Sequence, residues 1–210
     1  MELARNSYPR VWKRAFDIAL SIVGLLLFAL PMAMVAAAIR ISSGSPVVFS
    51  QERIGRSGRV FRVRKFRTMR VRGEPGMTVT VEGDARITPI GRLLRRWKLD
   101  ELPQLWNVLV GQMSFVGPRP DVTGFADTLK GDDRRVLLMR PGITGPATLF
   151  YRNEEEILTS VPDPVKYNRE VIYPHKVRMN LEYLDHCSFM GDLGYIWKTV
   201  VSKKWESSDA

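Results

Sequence analysis

The residues able to do chemistry concentrate between Arg95 and Pro120, in RRWKLDELPQLWNVLVGQMSFVGPRP. Asp100 and Glu101 are adjacent carboxylates ahead of Leu102-Pro103 and of an apolar run, Gln104 to Val110, closed by Gly111. Proline suits a first helical turn and glycine the position past the last, so this run is expected to be a helix with both acids at its start. Free N–H groups and the helix dipole favour negative charge there, whether it comes from a side chain or a bound phosphate. Gly117-Pro118-Arg119-Pro120 is then a stiff turn whose two prolines restrict the backbone on both sides of one arginine. A carboxylate can serve as nucleophile or hold a hard cation, and the guanidinium fork fits phosphate oxygens. Together they point to chemistry on a phosphate. Singly, each has a plainer reading: Asp100 as a helix cap, Glu101 as a solvated first-turn acid, Arg119 as its surface partner.

The elements that must position these residues begin with Ile18 to Ile39, which contains no charged side chain. As a straight helix it would reach roughly 33 Å at about 1.5 Å per residue, against a hydrocarbon core of about 30 Å. It is too long for a signal-peptide core and lacks a small-residue cleavage site before Arg40. Pro31 removes one helical hydrogen bond and crowds the carbonyl four residues earlier, so a kink is expected. Arg5, Arg10, Lys13 and Arg14 precede the segment, and Arg40, Arg53, Arg56, Arg59 and Arg62 follow it. Positive flanks prefer the cytoplasm. A helix broken at Pro31 that enters and leaves by one face satisfies both flanks; a kinked span is the alternative.

The formal charge of +10 over 210 residues asks for an acidic partner. Gln51 to Arg72 interleaves basic residues with Val60, Phe61, Val63 and Phe66 and directly follows the apolar segment. An anionic leaflet therefore takes precedence over nucleic acid, and no nucleic-acid partner is expected. Val60 to Thr68 reads as extended, with Lys65 and Arg67 available for donor, lipid or headgroup phosphate. Gly73 to Gly83 reads as a loop, either a closing flap or a connector. Arg92 to Lys98 is a short basic helix with Leu93, Leu94 and Trp97 on its apolar side, suited to a membrane interface or to core packing.

Past Pro120 a polar helical stretch is expected from Asp121 to Leu138, then the Arg140 to Gly145 loop, whose glycines permit close approach to a ligand or simply a tight turn. Asn153 receives no firm role. Val177 to Leu184 reads as an amphipathic helix. Phe189 to Trp205 mixes Tyr195, Trp197, Val200 and Trp205 with Lys198, Lys203 and Lys204, as an interfacial or a peripheral core helix would. One domain with a sizeable core is expected. Cys187 is the single cysteine, so no intrachain disulfide can form, and the two histidines, His175 and His186, lack zinc-site spacing.

LDELPQLWNVLVGQMSFVGPRP, with KFRTM at Lys65 to Met69 and RPGITG at Arg140 to Gly145, resembles the bacterial sugar transferase family, small monotopic phosphoglycosyl transferases that begin lipid-linked surface glycans. The likeness runs from Lys13 to about Val201. Two positions depart from the pattern: Gln112 stands where Asp is common, and Leu30 where Ser often precedes the proline of the membrane helix.

The resemblance implies a bacterial inner-membrane enzyme with its active site on the cytoplasmic face. Such an enzyme moves a sugar-1-phosphate from a UDP-sugar to a polyprenyl (undecaprenyl) phosphate and releases UMP. It implies Asp100 as nucleophile through a phosphosugar-aspartyl intermediate, Glu101 as ligand of Mg²⁺, and Arg119 as holder of the transferred phosphoryl group. Arg95 and Lys65 are further phosphate-binding candidates. The expected fold is α+β and predominantly helical: residues 1–44 a re-entrant membrane helix, 45–205 a cytoplasmic catalytic domain with interfacial amphipathic helices, and 206–210 a polar tail. Two alternatives stay open: a non-catalytic basic membrane adaptor, and the same transfer in one step with Asp100 only a metal ligand.

Overall fold

The computed structural model describes residues 10–70 and 86–201. The chain opens with α1 (Arg10–Leu27) and α2 (Ala29–Ser43), followed by the hairpin of β1 (Val48–Ile54) and β2 (Val60–Phe66). Next come α3 (Pro89–Arg96), a 3₁₀ turn at Leu99–Glu101, α4 (Gln104–Leu109) and β3 (Ser114–Val116). Two 3₁₀ segments, Ala126–Thr128 and Gly131–Leu138, lead to β4 (Gly142–Thr144). Helices α5 (Pro146–Phe150), α6 (Glu154–Thr159), α7 (Pro164–Tyr167), α8 (Tyr173–His186) and α9 (Phe189–Val201) complete the chain, with a π-helical stretch at Asn168–Ile172 before α8. The fold is thus mostly helical with a few strands, as expected of α+β. The sheets are small: β1 and β2 pair antiparallel, β3 and β4 parallel.

Helices α1 and α2 meet at a 60° bend. The expected break at Pro31 falls instead at Phe28, whose backbone leaves the helix (φ −94°, ψ 6°). The proline still causes it, because its ring crowds the carbonyl four residues back, that of Leu27, and offers it no N–H. Hydrogen bonds on either side survive, from Phe28 N–H to Gly24 O (2.9 Å) and from Met32 N–H to Phe28 O (2.8 Å). No single helix among the described residues is long and apolar enough to cross a membrane; the bent pair reaches that length and composition together.

Among the described residues the buried apolar side chains include three clusters: Phe61, Val63, Val108 and Met113; Ile39, Phe66 and Leu94; and Ile54, Ala126 and Leu137. Many large apolar side chains lie outside, including Ile22, Leu26 (75% exposed) and Leu30 on α1 and α2, Leu93 and Trp97 by α3, and Trp197 and Val200 (77% exposed) on α9. The apolar composition is therefore divided between interior and surface.

Polar side chains tie α1 to the rest. Asp17, 1% exposed, accepts from Ser114 Oγ and Phe115 N–H, both at 3.1 Å. Arg14 donates to the last carbonyls of α4, Val108 O (2.6 Å) and Leu109 O (2.7 Å), where a cation suits the helix dipole. Lys13 pairs with Asp192 of α9, which also accepts from Tyr183 Oη (2.6 Å). Lys13 and Arg14, read from sequence as a membrane flank, thus also work inside the protein.

Two further expectations are corrected. Asp121 to Leu138 is no continuous helix, because Gly124 (φ 94°) and Gly131 (φ 57°) take left-handed backbone that interrupts one. Arg67 is buried and donates to Ser43 O (2.6 Å) and Gly44 O (2.8 Å), closing the end of α2 instead of facing a phosphate. The Gly73 to Gly83 loop, Arg5, Lys203, Lys204, Trp205 and the 206–210 tail lie outside the described residues.

Candidate active site

Helix α3 starts cleanly: Thr88 Oγ1 accepts from Gly91 N–H (2.9 Å) and Pro89 occupies the first turn. It ends at Trp97, and Lys98 then adopts left-handed backbone (φ 55°, ψ 21°), uncommon for a side-chain-bearing residue. That reversal sets the Leu99–Glu101 turn, in which both acids are buried, Asp100 at 7% and Glu101 at 9% exposure. Neither plain reading of the acids survives. Pro103 occupies the cap position of α4 without a side-chain cap, so Asp100 does not cap it, and Glu101 is not solvated.

Glu101 Oε1 accepts from Lys65 Nζ (2.7 Å) and from an Arg119 guanidinium N–H (2.9 Å). The site therefore joins β2, the Leu99–Glu101 turn and the Gly117–Pro120 turn. Burial would raise the Glu101 carboxyl, but the charges of Arg119 and Lys65 outweigh it and hold the group well below the ordinary carboxylate range. Asp100 moves the other way: burial and then the negative charge of Glu101 push it up, against Lys65, Lys98 and Arg95. Its Oδ1 is buried without a hydrogen-bond partner. Two adjacent carboxyls thus carry different protonation tendencies, one fixed as an anion in an ion-pair network and one poised and unsatisfied.

Arg119 owes its placement to backbone packing. Gly117 N–H bonds Thr144 O (2.9 Å), Gly142 N–H bonds Pro118 O (2.7 Å) and Ser114 N–H bonds Pro141 O (2.9 Å). A side chain on Gly117 would lie 2.4 Å from Arg140 O, and one on Gly142 would lie 2.2 Å from Gly117 N. RPGITG thus contains the parallel strand that buttresses the arginine turn. Helix α4 is held similarly from within: Asn107, fully buried, accepts from Arg64 N–H (3.0 Å) and donates to Arg62 O (2.8 Å) and Gln112 Oε1 (2.7 Å). Gln112, the departure from the family pattern, keeps a structural role through that bond.

The sequence-chosen residues Lys65, Asp100, Glu101 and Arg119 come together. Arg95 is near enough for its charge to act on Asp100, while its own side chain pairs with Glu155 on α6 (3.5 Å). Asn153 precedes α6 without a side-chain cap. Sequence reading missed Arg53, Lys98 and Asp121. Arg53 donates to Pro120 O (3.1 Å), Ile54 N–H bonds Asp121 O (2.8 Å), and burial pushes the Asp121 carboxyl up to about 6 against Lys176, Tyr173 and Arg53. Strand periodicity, which puts Arg53 and Lys65 on one face of the hairpin, is the signal that would have found Arg53.

The profile of a family described as bacterial sugar transferase matches residues 8–204. The chain belongs to the bacterial sugar transferase family. Among curated relatives, the Galactosyl transferase CpsE of Streptococcus agalactiae serotype III (strain NEM316) is 34% identical over 90% of this chain and 41% of its own length. The UDP-glucose:undecaprenyl-phosphate glucose-1-phosphate transferase of Escherichia coli (strain K12) is 36% identical over 87% of this chain and 40% of its own. The Exopolysaccharide production protein PSS of Rhizobium leguminosarum bv. phaseoli is 37% identical over 92% of this chain and 95% of its own. The chain thus spans under half of the first two relatives and nearly all of the third. For this bacterial sugar transferase family member, the acid pair and Arg119 lie within the shared region.

Proposed function

We propose that the protein transfers a sugar-1-phosphate from a UDP-sugar to a polyprenyl phosphate with release of UMP, as the first membrane step of surface polysaccharide assembly. The observation that carries this reading is the unpartnered, buried Asp100 carboxylate beside an ion-pair network of Glu101, Lys65 and Arg119. Asp100 attacks the sugar-side phosphorus, the bridging P–O bond breaks, and UMP leaves with its electron pair. The lipid phosphate then attacks the phosphosugar-aspartyl group and frees the carboxylate. Arg119, whose side chain is 40% exposed, has donors left for the transferred phosphoryl group.

Magnesium fits the acids present. Among the described residues no group of three or more His, Cys, Asp or Glu could hold a metal, but this ion is commonly bound through one or two carboxylates plus substrate phosphates. Glu101 Oε2 lies outside the Lys65 and Arg119 contacts, so Glu101 would hold it, leaving the Asp100 carboxylate for attack. Bound there, it would neutralise diphosphate charge.

The exposed apolar faces of α1, α2, α3 and α9 support lodging in one leaflet of the inner membrane, with the α1–α2 pair entering and leaving from the cytoplasmic side. Incubating membranes containing the protein with a panel of UDP-sugars and undecaprenyl phosphate should release UMP with at least one donor. Absence of release with every donor, while a known transferase works in the same membranes, would refute the reading.

A further inference from the structure

The β1–β2 register fixes where Arg53 faces. Arg53 lies opposite Phe61, Gln51 opposite Val63 and Phe49 opposite Lys65, so these residues share one face of the hairpin. Phe61 and Val63 on that face are core residues, and Lys65 reaches Glu101. On the other face, Glu52 and Arg62 pair in solvent at 3.3 Å. Arg53 is therefore turned inward, on the face that also carries Lys65. Its guanidinium donates to Pro120 O (3.1 Å) and Gln51 Oε1 (2.6 Å), while Nε is buried without a partner.

Arg53 thus holds the carbonyl of the residue that follows Arg119, near enough that the Glu101 charge acts on both arginines. Lys65 and Arg119 share the single oxygen Oε1 of Glu101, while Arg53 has only neutral acceptors, Pro120 O and Gln51 Oε1. Gathering cations in this way costs free energy until an anion enters. A single monoanion would leave one guanidinium unmatched; a diphosphate supplies an acceptor for each.

We propose that Arg53 is a second phosphate-binding arginine, which holds the nucleotide-side phosphate of the donor while Arg119 holds the sugar-side one. This assignment rests on the proposed transfer and names the group that receives its leaving phosphate. As the bridging P–O bond breaks, the electron pair passes to the UMP phosphate, and the charge that gathers there meets the Arg53 guanidinium.

Product inhibition tests it. Arg53→Gln removes the charge but keeps a polar amide. It should raise the inhibition constant of UMP about tenfold or more, the scale of one lost charge-assisted hydrogen bond, while inhibition by uridine stays at the wild-type level. Arg53→Lys should fall between the two. An Arg53 that only holds the turn would lower kcat and leave UMP inhibition unchanged, and that result overturns the assignment. Equal weakening of UMP and uridine overturns it as well, since the whole pocket would have been disturbed. If Arg53→Gln is not recovered in membranes, Arg53→Lys decides by the same comparison. A wild-type protein that releases no UMP from any UDP-sugar would instead refute the parent function, so the two failures are distinguishable.

Discussion

Replacing Asp100 by Asn should separate stability from activity, because the two are set by opposite features of the same carboxylate. Asp100 is 7% exposed, its Oδ1 has no partner, and it lies beside the firmly ionised Glu101. Burial and Glu101 raise its pKa above the ordinary 3.8, so the fold disfavours the charged form. That penalty is absent below the unfolded value and grows as pH rises through the folded one. Asn keeps the size and removes the charge, leaving a neutral polar group still poorly paired. The gain at neutral pH should be on the order of 1 kcal/mol, equivalent to a rise of roughly 2–4 °C in Tm for a chain of this size. It should shrink on acidification, since the wild type sheds the same penalty on protonation. Activity should collapse by about 10³-fold or more, because the amide is a poor nucleophile. The assay pairs thermal unfolding at several pH values with rapid-quench mass spectrometry on donor alone. Wild type should release at most about one UMP per site and carry a sugar-phosphate adduct on Asp100. A variant several degrees less stable would refute the electrostatic account, and a retained burst or an adduct on another residue would refute the chemical one.

Glu101→Gln should act in the opposite sense, costing about 3 kcal/mol at neutral pH by stranding Lys65, with little from the more exposed Arg119 arm. Because the Glu101 carboxyl is held low, this advantage of the wild type should persist above pH 4.5 and fade on further acidification; a pH-independent difference in Tm would count against it. Arg119→Lys should leave membrane insertion intact and lower turnover by roughly 10–100-fold, since an ammonium lacks the planar fork; near-wild-type UMP release would reduce Arg119 to a point charge. Gly117→Ala should lower turnover with Asp100 and Glu101 unchanged, because the added methyl would sit 2.4 Å from Arg140 O and displace the arginine turn; unaltered kcat would show that the β3–β4 buttress does not position Arg119. Single cysteines at Arg40 and Arg59 should label only from the cytoplasm, and Pro31→Ala, which restores an N–H for Leu27 O, should relax the 60° bend; a periplasmic label on either residue in the otherwise unaltered chain would rule out re-entry.

Local chemistry made part of this protein legible without coordinates. Pro31 announced a bend, because a missing N–H and a ring clash act within one turn whatever surrounds them. Pro118 and Pro120 announced a stiff presentation of Arg119 for the same reason. Val60 to Thr68 read as extended, although neither alternate face is cleanly apolar, and β2 occupies Val60–Phe66 of it; Asp100 and Glu101 pointed to phosphate chemistry only in combination with the Arg119 turn. Charge and hydropathy, however, do not say which way a side chain faces once strands pair. Arg67 and Arg14 read as basic surface, yet each closes a helix end. Arg53 read as a membrane flank until pairing with β2 placed it on the face that carries Lys65. The different ionisation of Asp100 and Glu101 is also a tertiary property. It arises because Lys65, 36 residues away in sequence, and Arg119, 18 away, converge on one carboxylate oxygen and leave its neighbour unsatisfied.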